Sequence, residues 1–557
     1  MRCEPGSIHR RTLASICALA GALLVAGASQ AERPRIYAIP DVRIVTAPGQ
    51  VIERGTLVLR DGFIDAAGPG VAVPADAQLI PTEDGWTVYA AFVDAASIVG
   101  LEPEPEAAPR APGGNKPERV GVRHELKSVR AERAIADRLD ASHPSIERHR
   151  SLGFAVAHVL PQNGVFRGES AAILLRSGPA TELILTARLG QVVALETSSF
   201  IARQYPSSKI GAVAAVRQVL LDATRQQLWN ERYAANPASM QHPEYRASDA
   251  ALIAVLRQEQ PVVFVSLAGL DPGRFKDIAG TFELRGMTVA QGLGDRREDL
   301  AAAGMPILLP LEMPEQLDLD DPDVIVATGL RGMQAAVRAP GLPAALDNVG
   351  VEFAFVTAGM KSVRKFSENL AAVVEAGLPP EVALAALTTT PARLLGLDRT
   401  LGTIEAGKQA NILVVDGELF AAKPALRHLF VNGYHEEIEV EEVIGDPNAV
   451  VDPRGTWEVV SAVMGRTAES TWTVTGAEGN YRGFSESSRA GKSQFSSVDL
   501  KGNALTVVSK SSRGELEITV VISGDKLSGS TDMESARGSA KMEIEGRRIA
   551  GPEGDLQ

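Results

Sequence analysis

The side chains that stand out as candidates for bond-breaking chemistry are the carboxylates of Asp94 and Glu196 and the imidazole of His158. Carboxylates and imidazoles lend lone pairs to a metal and pass protons to a leaving group, which is the equipment of a hydrolase. Their spacing argues against a metal cluster. Of eight histidines, His9 falls in the leading segment and His428 and His435 fall in the terminal β-layer beyond the central region. The other five, His124, His143, His149, His158 and His242, include no pair at the i,i+2 strand or i,i+4 helix spacing that aims two imidazoles at one ion. His158 sits in the apolar run 154–160 with Val156 on its own face. It either lines an interior pocket or is a hydrogen-bonded core histidine, and the second reading is favoured. A lone Asp94 fits bonding to backbone amides better than work as a base.

Other reaction chemistries lack their motifs. No G-x-S-x-G elbow is present, and no Walker or Rossmann glycine pattern. The stretch 163–170, Asn-Gly-Val-Phe-Arg-Gly-Glu-Ser, resembles an anion loop but precedes the apolar strand 171–175 and not a helix, so a hairpin is expected. The acidic run 318–323 offers oxygens that calcium prefers, yet lacks the glycine and terminal glutamate of a calcium loop and is read as a solvated turn.

Arg2, Arg10 and Arg11 precede an apolar run over 13–27, and Ala28-Ser29-Gln30-Ala31 offers a small-residue cleavage point. Residues 1–31 are therefore expected to be a cleavable signal peptide, and the protein to be periplasmic or secreted. The run is shorter than the roughly 20 residues a bilayer core needs, so no membrane span is expected. Arg10-Arg11 fits an ordinary basic n-region better than a twin-arginine signal, because Ser7-Ile8-His9 matches that pattern poorly. Both cysteines, Cys3 and Cys17, lie in this segment, which removes disulfides, thiolate metal sites and cysteine nucleophiles from the remainder. Without residues 1–31 the chain has 53 Lys+Arg against 68 Asp+Glu, a net charge of -15. That charge repels phosphate backbones and excludes nucleic acid as a partner.

Three textures follow one another along the chain. Residues 36–39, 41–45 and 55–59 read as strands, with Asp61-Gly62 as a turn before Phe63. From about 89 to 395, apolar strands over 154–160, 261–267, 282–291, 305–311 and 351–357 alternate with helical stretches such as 210–225 and 248–257, the pattern of a parallel α/β sheet. Thr390 and Pro391 suit N-cap and N1 of a short helix that Gly396 stops, with Leu394 and Leu395 facing the core. A compact hairpin is then expected from 403–404 through the turn 405–408 to 410–415, followed by a strand over 427–431 closed by Asn432-Gly433. Beyond a linker near 441–451, strands over 456–463, 471–475, 504–509, 516–522 and 540–544 predict a small antiparallel β-barrel or sandwich.

Val88-Tyr89-Ala90-Ala91-Phe92-Val93-Asp94-Ala95, then 385–396 (AALTTTPARLLG) and 401–416 (LGTIEAGKQANILVVD), resemble the amidohydrolase superfamily, in particular its imidazolonepropionase-like and dihydroorotase-like branches. The resemblance covers roughly 36–440, strongest at its ends. It implies an α/β fold: a (β/α)8 TIM-like barrel over 89–399, a flanking β-sandwich composed of 32–88 and 400–440, and, outside the resemblance, a C-terminal all-β domain over 452–557. Active relatives hold zinc or another divalent metal at the C-terminal mouth of the barrel, where it activates water and polarises the scissile carbonyl. The positions that the resemblance assigns to metal ligands are occupied here by Ala96 and Ile98 on the first strand and Ala358 on the eighth. The ligands of the fifth and sixth strands are missing too, since 261–267 and 282–291 contain no histidine.

Three functions stay open on the sequence alone. The first, weighted highest, is a metal-free member of this fold in the cell envelope, serving binding or assembly with a small-molecule ligand or an envelope protein partner. The second is an active hydrolase of C–N bonds with a substituted site around Asp94, His158 and Glu196. The third places function in the C-terminal β-domain. No cofactor is expected, and family likeness is the sole basis for expecting a homodimer.

Overall fold

The computed structural model describes residues 36–102, 124–197, 205–267, 269–290, 297–314, 322–422, 424–438, 445–446, 449–463, 466–477, 480–488, 491–511, 514–535 and 538–551. The expected signal peptide and Asp318 to Asp321 of the acidic run lie outside the described residues. The chain separates into two compact units, Met1–Ile438 and Glu439–Gln557.

In the first unit, both ends of the segment share one sheet. Strands Ile36–Ala47, Gln50–Arg60 and Phe63–Gly68 form a meander, and Ile36–Ala47 also pairs in parallel with Trp86–Ala90. On its other side Trp86–Ala90 pairs antiparallel with Ile412–Asp416, which pairs with Ala425–Val431, and that strand pairs with Tyr434–Glu437. The strand around 412 therefore does not close a local hairpin with residues 403–404, as its sequence suggests. Ile412, Leu413, Val414 and Val415 are all buried, and such a strand needs a neighbour on each side. Ile404 instead donates its N–H to the Thr46 carbonyl at 2.8 Å. Asn432 and Gly433 both have positive φ, 49° and 75°, which matches the two-residue hairpin turn expected of this pair.

Eight strand positions make the barrel wall. Strand one is Phe92–Ser97 and strand two Phe154–Val159, in parallel. Strand three is a bent segment, Phe166–Glu169 and Ala171–Leu174, antiparallel to both of its neighbours. Strands four to eight, Gln191–Ala194, Val262–Val265, Gly286–Val289, Ile307–Pro310 and Phe353–Val356, are parallel throughout. Backbone bonds bridge the two seams: Ser170 N–H to Gly190 O at 2.8 Å, and Ala358 N–H to Ala96 O at 2.9 Å. The α/β barrel architecture thus holds, with one strand reversed. Phe282, expected to open strand six, ends the helix Asp271–Phe282 instead.

Helices cover the outside of the wall. The longest, Lys209–Ala235, starts where Ser208 Oγ accepts the Gly211 N–H at 3.1 Å, and buries Ala212, Ala215, Val216, Val219, Leu220 and Ala223 at helical spacing. Thr389–Leu394 follows Thr388, two residues earlier than the expected cap Thr390, and the Thr388 hydroxyl bonds back to Leu384 O at 2.7 Å. Gly396 is left-handed with φ 69° and Leu395 is buried, as the pattern requires, while Leu394 is half-buried.

The second unit is a closed antiparallel barrel of eight strands between Gly455 and Ala550. Trp457, Trp472, Val507, Val520 and Ile544 are among its interior residues. Strands Asn480–Ser487, Gly491–Lys501 and Lys526–Ser535 had no sequence signal, because Ser, Gly and charged residues outnumber apolar ones there. Gly529 and Gly546 let neighbouring strands close in: a Cβ would stand 2.3 Å from Thr519 O and 2.8 Å from Glu458 O. No helix among the described residues is long and apolar enough to cross a membrane.

Candidate functional site

Strand one is buried at all six positions, so any polar group on it must find its partners within the protein. Asp94 does so. Its Oδ1 accepts the backbone N–H of Ala96 at 3.1 Å and of Thr357 at 3.2 Å, and its Oδ2 accepts the Thr357 hydroxyl at 2.5 Å. Thr357 directly follows strand eight, so this carboxyl joins the first and last strands of the wall.

Two further polar groups complete a sealed cluster. His149, on the helix Pro144–Arg150, donates Nδ1–H to Ser145 O at 2.8 Å, which leaves Nε2 as an acceptor. Nε2 stands 3.2 Å from Thr357 Oγ1, 3.3 Å from Ser97 Oγ and 3.8 Å from Asp94 Oδ2. Ser97 Oγ lies 3.2 Å from Thr357 Oγ1 and accepts the Val99 N–H at 3.2 Å. Asp94 and Ser97 are fully buried, and His149 and Thr357 are 4% and 6% exposed. No substrate reaches them.

Distance alone would class His149 and Asp94 as an ion pair; burial decides otherwise. It pushes the Asp94 carboxyl up to about 7, against the pull of Thr357 and the two amides, and the His149 imidazole down to about 4. Both shifts favour uncharged forms. When Asp94 is protonated, its O–H donates to Thr357, which donates on to His149 Nε2. When it is ionised, Thr357 turns to the carboxylate and Ser97 is left to serve Nε2. The cluster is satisfied in either state, which suits a structural latch.

His158 is a core histidine. Nδ1 donates to Ala95 O at 2.7 Å, Nε2 pairs with Ser170 Oγ at 2.7 Å, and burial pushes the ring down to about 4. Glu196 follows strand four, half-buried, and its Oε2 accepts the Gly164 N–H and an Arg167 N–H, each at 3.0 Å. It pins the turn at Asn163 and Gly164, both with positive φ. Asp94, His158 and Glu196 thus serve three separate sets of partners, and the structure does not bring them together.

The positions assigned to metal ligands carry hydrocarbon. Ala96 is fully buried, Ala358 is 8% exposed and Ile98 is 52% exposed. Strands five and six continue into Ser266 and Ala290. A methyl or butyl group has no lone pair, so these residues do not fit a hydrolytic cation. Among the described residues no group of three or more His, Cys, Asp or Glu side chains could hold a metal ion.

Sequence reasoning missed His149, Ser97 and Thr357, which come from three distant segments with no shared spacing. The one available signal was Thr357, the immediate neighbour of Ala358. The best-matched stretch, 401–416, has a structural explanation. Lys408 Nζ bonds Asp398 O at 2.8 Å and Thr403 Oγ1 at 2.6 Å, and Asn411 Oδ1 accepts the Asn432 N–H at 2.7 Å.

A sequence profile of the amidohydrolase family matches residues 327–447. No curated protein sequence matches the chain. Among solved structures, an amidohydrolase from Thermotoga maritima MSB8 is similar at 19% identity and a TM-score of 0.57, over 72% of this chain and 99% of that one. A Xaa-Pro dipeptidase with methionine bound in its active site is 17% identical with a TM-score of 0.42, over 72% of this chain and all of that one. Molinate hydrolase is 14% identical with a TM-score of 0.40, over 75% and 98%. At these identities the likeness is one of fold.

Proposed function

We propose that this chain is a metal-free member of the amidohydrolase superfamily that has lost catalysis and works in binding or assembly, a reading supported by the profile match over 327–447 and by the similar fold. The observation behind this reading is the hydrocarbon at Ala96, Ile98 and Ala358, together with an Asp94 committed to Thr357 and Ala96. Superfamily chemistry, hydrolysis of non-peptide C–N bonds such as cyclic amides, depends on a metal to activate water near neutral pH. Without ligands on strands one and eight, this chain would have to generate its nucleophile some other way. A substituted site built on Asp94 or His158 would need a path to substrate, and both side chains are sealed from solvent.

The expected export signal at residues 1–31 suggests a periplasmic or secreted protein that meets a small ligand or an envelope protein. Turnover of cyclic amides, hydantoins and dipeptides by the purified protein, with and without added zinc or manganese, tests the reading. Background rates throughout support it. Metal-dependent turnover that saturates with substrate overturns it.

A further inference from the structure

We propose that the cavity between the composite β-sheet and the barrel binds a small carboxylic acid with a flat, single-ring body, anchored by Arg176. The inference rests on the binding role proposed above and names a site and ligand class for it, away from the positions of the missing metal ligands.

The cavity measures about 200 Å³ and belongs wholly to the first unit. This is below the roughly 300 Å³ where pockets for drug-sized molecules begin, and it suits a one-ring acid. Tyr37 reaches it from the first strand, Val431, Tyr434, His435 and Glu436 from the terminal hairpin, and Arg176 and Ser177 from the end of barrel strand three. Aromatic rings form much of the lining. Tyr37 and His435 lie 5.6 Å apart, centre to centre, and the Arg176 guanidinium stacks 4.0 Å above the Tyr434 ring.

Arg176 is the reason to expect an acid. It is 7% exposed, and a guanidinium stays charged at any physiological pH. Nη1 donates to Ser177 O at 2.9 Å and Nη2 to Glu182 at 3.2 Å, but Nε has no hydrogen-bond partner among the described residues. Glu182 is 56% exposed, so water screens the carboxylate beside this buried cation. The other carboxylate lining the cavity, Glu436, is already held by Arg150 at 2.7 Å. A ligand carboxylate beside Arg176 would give the guanidinium a charge-assisted hydrogen bond that Ser177 and Glu182 do not supply. Its ring would lie against Tyr37 and Val431.

Benzoate, with benzamide as its neutral isostere and inorganic phosphate as an anion without a ring, tests the site on the purified full chain by calorimetry. The expected result is saturable benzoate binding and none by benzamide or phosphate. Arg176→Gln should weaken benzoate by at least about tenfold. Ser177 is exposed and lines the cavity, so Ser177→Trp should block it without disturbing the core, and it decides the matter if Arg176→Gln does not fold. The inference is overturned if benzoate does not saturate, if benzamide or phosphate binds as well, or if folded Ser177→Trp binds benzoate unchanged. Loss of this binding leaves the metal-free reading standing, because that reading is judged on turnover.

Discussion

Thr357 donates its hydroxyl to Asp94 Oδ2 at 2.5 Å, and through that bond the last strand of the barrel is fastened to the first. Just beyond it, Ala358, the residue after Thr357, donates its N–H to the carbonyl of Ala96, two residues after Asp94, at 2.9 Å. At the positions that the sequence resemblance assigns to metal ligands, this chain has hydrocarbon, and beside them a latch. Each element of that latch can be tested separately.

Thr357→Val removes the hydroxyl and keeps the shape. It takes the Thr357 partner from Asp94 Oδ2 in a sealed site and leaves Ser97 alone to serve His149 Nε2, and should cost about 1–3 kcal/mol in denaturant unfolding. Thr357→Ser should recover most of that loss. Equal stability of Val and natural protein would show that the latch contributes nothing.

Asp94 binds its proton more tightly in the folded than in the unfolded state, because its carboxyl is raised from 3.8 to about 7. The stability it contributes is complete below pH 3.8 and is lost as pH rises through about 7. Asp94→Asn keeps the acceptor for both amides and does not titrate. The variant should therefore gain on the natural protein, in thermal midpoint, as pH rises from about 5 to about 8. Parallel curves would contradict the raised carboxyl.

His158 has the opposite sign. Its ring is lowered from 6.5 to about 4, so its contribution is present above pH 6.5 and lost as pH falls through about 4. His158→Leu strands the Ala95 carbonyl and should cost about 1–3 kcal/mol at neutral pH. The same variant should flatten the acid limb of the stability profile. An unchanged acid limb would place the titration elsewhere.

Restoring the missing ligands should not restore a site. Ala96→His adds bulk where the residue is fully buried, at a cost of about 1–3 kcal/mol, while Ile98→His at a 52% exposed position should change stability by less than about 0.5 kcal/mol. Combined with Ala358→Asp, these changes still lack donors from Ser266 and Ala290. Zinc titration of the triple variant should show no tight site, and one-to-one binding would contradict this.

Much of the fold was legible because local chemistry and global structure agree. Asn432-Gly433 made its hairpin, Gly396 stopped its helix, and continuous apolar runs became buried parallel strands. Misreadings arose where long-range pairing decided. Ile412–Asp416 found partners at Trp86–Ala90 and Ala425–Val431, beyond the reach of any local pattern. Strand three runs backwards because Ala171–Leu174 returns along Phe154–Val159 as a hairpin. At the site, the empty ligand positions were visible as letters. The latch was not, since Asp94, His149 and Thr357 meet only after the barrel closes.

The most direct test of the central claim is the metal content of the purified chain after incubation with excess zinc, manganese or iron and removal of loosely bound ions. The account predicts well under one tightly held ion per chain, and no change in thermal midpoint on adding chelator. One ion per chain, with stability that falls when it is stripped, would contradict it.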